Sequence, residues 1–311
     1  FIHSFIQFMS FILGATPIYL ALCLNLIPTA TTLLDNGADL FIRTNSGDDP
    51  LTIAKSLKDD LIYKRIFEIY EKRRIAQTRN VIQEMINTER SYSEQLAILC
   101  FVYLPKITVD FPLTERAVLS IFGNVEKIYQ GSTAFLNDLS TVIHLPPEQQ
   151  NVGQHYLNHL DYFRLYVPYC RNQTISVKSL RTLLMVPDIR EWVDQLQLDL
   201  PETLEAYLIK PVQRICRYPL LLRELLKYVG EGVPHHESLE QAVTEIGNIL
   251  NSANEGKREV DRVEQIFEEL NNLGVIFGSH SQFLEQSPCG VVNNNVVMWD
   301  GMYFLITDVL V

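Results

Sequence analysis

The sequence predicts a mainly α-helical protein, and three observations carry that prediction. Apolar residues recur at three- and four-residue steps through three long stretches, Val81 to Leu99, Leu208 to Leu226 and Leu239 to Leu250. That is the period of helices burying one face. Breaks marked by Pro, Asn or Gly fall near Pro105 to Pro112, Pro146-Pro147, Asn172, Pro201 and Gly230 to Pro234, leaving five or six long segments suited to an elongated bundle. Beyond Phe267 the character changes, and Val291, Val292, Val296 to Trp299 and Met302 to Val311 read as strands, with turns at Asn293 to Asn295 and Asp300-Gly301.

The N-terminal elements come first. From Phe1 to Leu34 there is no Lys, Arg, Asp or Glu. A membrane span needs about 20 apolar residues, but Pro17, Asn25 and Pro28 interrupt this run, and no basic leader precedes it. The phrase Thr16-Pro-Ile-Tyr-Leu-Ala21 returns as Asp49-Pro-Leu-Thr-Ile-Ala54, from position 16 to position 49, with Thr32-Leu-Leu-Asp-Asn-Gly-Ala-Asp39 between. This 33-residue period resembles the ankyrin repeat. Pro17 and Pro50 then open helices, and Gly37 follows a helix end. About three such repeats make a stable stack, so the resemblance implies further repeats ahead of Phe1. Residues 1–74 form this first region, and Glu71-Lys-Arg-Arg74 reads as a polar hinge.

The next helix buries Ile82, Met85, Ile86, Tyr92, Leu96 and Leu99, and Glu89 falls on the same stripe. A carboxylate there is either paired inside the bundle or facing a partner. In Leu208 to Leu226 two stripes alternate. Val212, Ile215, Tyr218, Pro219, Leu222, Leu225 and Leu226 suit a core, whereas Gln213, Cys216, Arg217, Leu220 and Glu224 form a second face of mixed chemistry. Pro211 fits a first turn, while Pro219 inside the helix costs about 3 kcal/mol. The last long helix packs through Leu239, Val243, Ile246, Ile249 and Leu250, and Asn254 continues its row.

The string LIKPVQRICRYPLLLREL closely resembles the third signature segment of Dbl-homology domains, the exchange modules for Rho-family GTPases. IQEMINTERSYSEQLAIL resembles the first signature, with Thr88-Glu89 at its centre. Ile121-Phe-Gly-Asn-Val125 through Phe135-Leu136, and Tyr166 to Asn172, resemble later helices of the family. The resemblance implies a Dbl-homology bundle over residues 75–264 and a guanine-nucleotide exchange factor that makes no covalent bond. It implies that Glu89 draws switch I away, that Gln213 and Arg217 engage switch II toward the Mg²⁺ site, and that Asn254 supports Arg217. Cys216 and Leu220 complete the implied GTPase-binding set. Cys216 is smaller than the aliphatic residue common at its position, and Arg217 replaces a common lysine. Residues 265–311 resemble the opening strands of a pleckstrin-homology domain. No Lys or Arg follows Arg262, so the basic cluster that binds phosphoinositides is missing from this stretch and lipid binding is not expected of it.

Composition bounds the alternatives. The formal net charge of −11 lacks the basic stripe of a nucleic-acid binder. Five scattered cysteines (Cys23, Cys100, Cys170, Cys216, Cys289) suit a reducing cytoplasm. His155 and His159 have a metal-ligand spacing but no third ligand nearby in sequence. No nucleotide-cradling or nucleophile motif occurs, and no cofactor is implied. The alternative to exchange activity is a catalytically inactive scaffold, with the repeats binding a protein partner.

Overall fold

Caps and the helical period set the N-terminal elements. The computed structural model describes residues 14–57, 60–111, 113–230 and 235–272, together with the backbone of five short strands from Ile276 to Leu310. Helix α1 (Pro17–Cys23) opens under the Thr16 hydroxyl, which accepts from the Tyr19 amide at 3.4 Å. Helix α3 (Pro50–Ser56) opens under the Asp49 carboxylate, which accepts from the Thr52 amide at 2.8 Å. The two copies of the phrase therefore use one device, a polar N-cap followed by a proline whose missing N–H costs nothing there. Between them α2 (Ile27–Asp35) ends before Gly37, whose φ of 84° is the left-handed turn that lets the chain leave the helix.

The predicted hinge at Glu71 to Arg74 is not there. Helix α4 (Asp60–Ile98) runs through it for 39 residues. Its charges are local supports. Arg74 forms a two-pronged pair with Glu71 one turn back, and Arg73 donates to the carbonyls of Ala38 (2.7 Å) and Leu34 (3.3 Å), closing the end of α2. Ile18, Leu22, Ala30, Leu34, Leu40 and Ala54 make one core with Ile62, Ile66 and Tyr70 of α4.

Five π-helical residues (Leu99–Tyr103) lead from α4 into α5 (Leu104–Asp110). Then follow α6 (Glu115–Phe122), α7 (Val125–Val142), α8 (Val152–Asn158), α9 (Leu160–Arg164), α10 (Tyr166–Leu183), α11 (Pro187–Leu198), α12 (Leu204–Leu226) and α13 (His236–Asn272). The break expected at Asn172 is also absent, because that side chain is used sideways, donating to the Ser120 carbonyl at 2.8 Å. Pro211 is not in a first turn. The Thr203 hydroxyl accepts from the Ala206 amide, α12 begins at Leu204, and both Pro211 and Pro219 are buried helix-interior residues.

The helices divide into two compact units. The first holds Phe1–Gln95, Tyr129–Phe163 and Arg214–Gly247; beyond the small N-terminal core it is filled by Phe135, Tyr156, Tyr162, Phe163 and Tyr218, with Tyr156 stacked on Phe163 at an interplanar angle of 2°. The second holds Leu96–Ile128, Arg164–Gln213 and Asn248–Val311, where Tyr103, Trp192 and Tyr207 pack together and α10 lies along α6. Gly123 turns between α6 and α7 with a φ of 56°.

Strand β3 (Val296–Trp299) pairs antiparallel with β4 (Met302–Ile306), from Val296 opposite Leu305 to Trp299 opposite Met302. Strand β2 (Phe283–Pro288) takes the other edge of β4, and β1 (Ile276–Phe277) pairs with β5 (Val309–Leu310). The segments from Phe1 to Leu13, Cys289 to Asn295 and Asp300-Gly301, where some sequence expectations fall, lie outside the described residues.

Candidate functional site

The two faces predicted for α12 are both present. Ile215, Tyr218, Pro219, Leu222 and Leu225 are buried; Gln213, Cys216 and Arg217 are exposed, and Leu220 is 61% exposed. Glu224 is half-buried and accepts from Lys227 and Tyr228. Cys216, Arg217 and Leu220 thus form one outward row in the first unit. Gln213 starts that row on the part of α12 belonging to the second unit, where Asn254 is exposed on α13.

Glu89 requires a correction. The resemblance puts it on the GTPase surface, yet its side chain is 0% exposed. Its place on the apolar stripe of α4 turns it inward, and its full set of partners keeps a charge there tolerable. Arg214 donates to Oε2 through Nε (3.0 Å) and Nη2 (2.7 Å), and the Tyr218 hydroxyl donates to the same oxygen at 2.8 Å. Ser132 from α7 donates to Oε1 at 2.6 Å, and Tyr162 from α9 reaches Oε1 at 3.4 Å and Tyr218 at 3.1 Å. One carboxylate therefore ties α4, α7, α9 and α12 together.

Arg214 itself is 4% exposed, with its guanidinium over the rings of Tyr218 (4.7 Å) and Tyr92 (5.7 Å). Burial alone would pull its pKa down. The neighbouring Tyr218 and Glu89 outweigh that and hold it well above the ordinary arginine value. Nothing next to Arg214 in the sequence marks it, because its partner lies 125 residues away in the chain. The available signal was a carboxylate and a guanidinium, each standing on an otherwise apolar helical stripe.

These contacts also fix direction. Tyr218 meets α4 at Glu89, whereas Arg214, one turn earlier on α12, also lies over Tyr92, one turn later on α4. The two helices run antiparallel where they meet.

His155 and His159 do not stand alone. Both rest on one oxygen of Asp138, at 2.8 and 3.1 Å. Among the described residues no group of three or more His, Cys, Asp or Glu side chains is arranged to hold a metal ion, and no helix is long and apolar enough to cross a membrane. Burial pushes the Cys100 thiol up to about 12, while Cys23 and Cys216 are exposed.

The RhoGEF domain family matches residues 81–254. The mouse phosphatidylinositol 3,4,5-trisphosphate-dependent Rac exchanger 1 protein is 33% identical over 200 residues, which cover 60% of this chain and 12% of that protein. Human Rho guanine nucleotide exchange factor 9 is 30% identical over 192 residues, or 60% of this chain and 37% of that one. The chain thus spans well under two thirds of either relative. The DH/PH domains of PDZ-RhoGEF, solved in complex with GTP-γ-S-activated RhoA, align with a TM-score of 0.58 at 16% identity, covering 69% of this chain and 68% of that one. At that identity the likeness is one of fold.

Proposed function

The chain belongs to the RhoGEF-domain family, and on that premise we propose that it is a guanine-nucleotide exchange factor for a Rho-family GTPase. The observation that carries the proposal is the outward row of α12. Cys216, Arg217 and Leu220 are exposed on a helix whose opposite face is anchored through Arg214, so the row is held ready for a partner.

The chemistry asked of these residues is differential binding. An exchange factor binds the nucleotide-free GTPase more tightly than the loaded one, and so lowers the barrier to release. Switch loops are held by nucleotide phosphate and Mg²⁺, and a partner that draws them elsewhere weakens both ligands. In this reading Arg217 and Gln213 donate to switch II and push it toward the Mg²⁺ site. Asn254 contacts the same loop, and Leu220 and Cys216 supply the apolar part of the contact and tune the choice of GTPase.

The carboxylate for switch I is then Glu84 rather than the buried Glu89. Glu84 and Glu94 are both exposed on α4. With antiparallel helices stepping about 100° per residue, Glu84 falls on the flank that carries Arg217 and Leu220, and Glu94 on the opposite one. The matching N-caps at Thr16 and Asp49 support an ankyrin-like N-terminal region that binds a protein partner, and the paired strands β2 to β4 support the start of a pleckstrin-homology fold. A cytoplasmic setting goes with a GTPase partner of this family.

The test is release of fluorescent GDP from a panel of Rho-family GTPases by the whole chain, beside Glu84→Ala and Arg217→Ala. Acceleration that both variants lose, with unchanged melting temperatures, is the expected result. A folded protein that accelerates no member of the panel would leave the scaffold alternative in its place.

A further inference from the structure

The exposed row of α12 does not stop at Leu220. At the same three- and four-residue step it continues through Arg223, Glu224 and Lys227, which form one wall of an open cleft of about 650 Å³. The facing wall is the loop between α2 and α3, with Asp39, Phe41, Ile42 and Arg43.

That loop is built rather than loose. The Asp39 carboxylate accepts from the Phe41 amide at 2.8 Å. The Phe41 ring packs on Tyr70 of α4 (4.8 Å between centroids) and edge-on against Tyr228 (5.1 Å). Glu224 pairs with Lys227 at 2.5 Å, the Glu240 carboxylate lies 3.3 Å from the His236 ring, and Asp39 is exposed. Two further groups are accessible. Ile42 is 48% exposed, and Arg223 is exposed with no ion-pair partner among the described residues. An apolar side chain across the cleft from an uncommitted guanidinium suits a protein contact, since arginine is enriched where interfaces are strongest.

We propose that the α2–α3 loop and Arg223 extend the GTPase-binding face. Ile42 and Arg223 take an apolar and acidic patch on the same GTPase that docks on the row of α12. The proposal rests on that row being the GTPase face, and continuity singles out this occupant. Arg223 lies one turn beyond Leu220, about 5 Å along the axis, whereas a standard interface covers about 800 Å² per partner, a patch roughly 30 Å across. A footprint of that size centred on Arg217 and Leu220 reaches the cleft edge. The N-terminal helices thereby become part of partner selection, beyond anything they bind on their own.

The experiment is GDP release by the whole chain at increasing GTPase concentration, comparing wild type with Ile42→Ser, Arg223→Glu and Arg223→Lys. Both altered side chains are exposed, so melting temperatures should hold. The expected result is a five- to tenfold rise in KM for Ile42→Ser and Arg223→Glu with kcat within twofold, and partial recovery in Arg223→Lys. Unchanged KM in both variants would place the loop outside the footprint, and faster exchange would make it a barrier; either overturns the proposal. A drop in kcat at constant KM would also overturn it, by showing that the loop acts through α12. Failure of wild type on every GTPase would instead sink the underlying assignment of the row.

Discussion

Arg214 and Arg217 stand three residues apart on one helix and have opposite surroundings. Arg214 is sealed in the seam between α4 and α12, with both prongs on Glu89 and aromatic rings against it. Arg217 faces outward. The side chain is the same, but the phase of the helix decides whether it holds the bundle together or waits for another molecule. Glu89 and Glu84 repeat the contrast on α4. With rigidity in the seam and the proposed recognition on the flank, stability and exchange should separate cleanly when each is changed.

The strongest way to break this comparison is Arg214→Ala. Removing one partner of a buried pair leaves the other charge stranded, at a cost of about 3–5 kcal/mol. Urea unfolding should register it as a large fall in midpoint, and the double change Glu89→Leu with Arg214→Met should recover most of the loss. A single variant as stable as wild type would mean the seam is wetter than described. Ser132→Ala asks the same of a lesser member. It deletes a hydrogen bond to a charged group, worth about 1.5–3 kcal/mol, and should lower stability without touching the outward row.

On the flank, Arg217→Ala should leave stability within about 0.5 kcal/mol of wild type and slow exchange at least tenfold, about 1.4 kcal/mol in barrier. Equal losses in stability and rate would erase the distinction between flank and seam. Asp138 is the intermediate case and the smallest effect. Burial pushes its pKa up, but His155 and then His159 outweigh that and hold it below the usual carboxylate range. With the folded value depressed, its stabilisation is complete above the unfolded pKa of about 4 and is lost as pH falls through the folded value. Asp138→Asn should therefore cost about 0.5 kcal/mol or less near pH 6, since the cluster is partly solvated, and progressively less as pH falls below about 4. Thermal melts across that window would check it.

What was legible in the sequence followed from period. The buried rows of α4 and α12, and the exposed row from Gln213 to Leu220, stand where the three-four spacing put them, because burial acts on a whole helical face. What was not legible depended on partners far away in the chain. Period put Glu89 on the apolar stripe but could not say that Arg214, Ser132 and two tyrosines would meet it. Glu71 to Arg74 looked like a hinge because clustered charge usually marks solvated linker. Here Arg73 caps α2 and Glu71 pairs with Arg74, contacts that no local pattern reveals. Pro211 was misplaced for a similar reason: the cap at Thr203 starts the helix before the proline is reached.

Because α4 is unbroken from Asp60 to Ile98, it behaves like a keyed shaft. Tyr70, which seats the N-terminal loop through Phe41, and Glu84 on the exposed flank proposed for recognition are 14 residues apart, nearly four whole turns. Adding or deleting one residue between them would leave every local preference intact yet rotate one end by about 100° against the other. The N-terminal helices and the flank would then point in different directions. Length changes should be tolerated in the connection before Asp60 and excluded from the shaft, so that spacing, more than composition, is what this stretch has to keep.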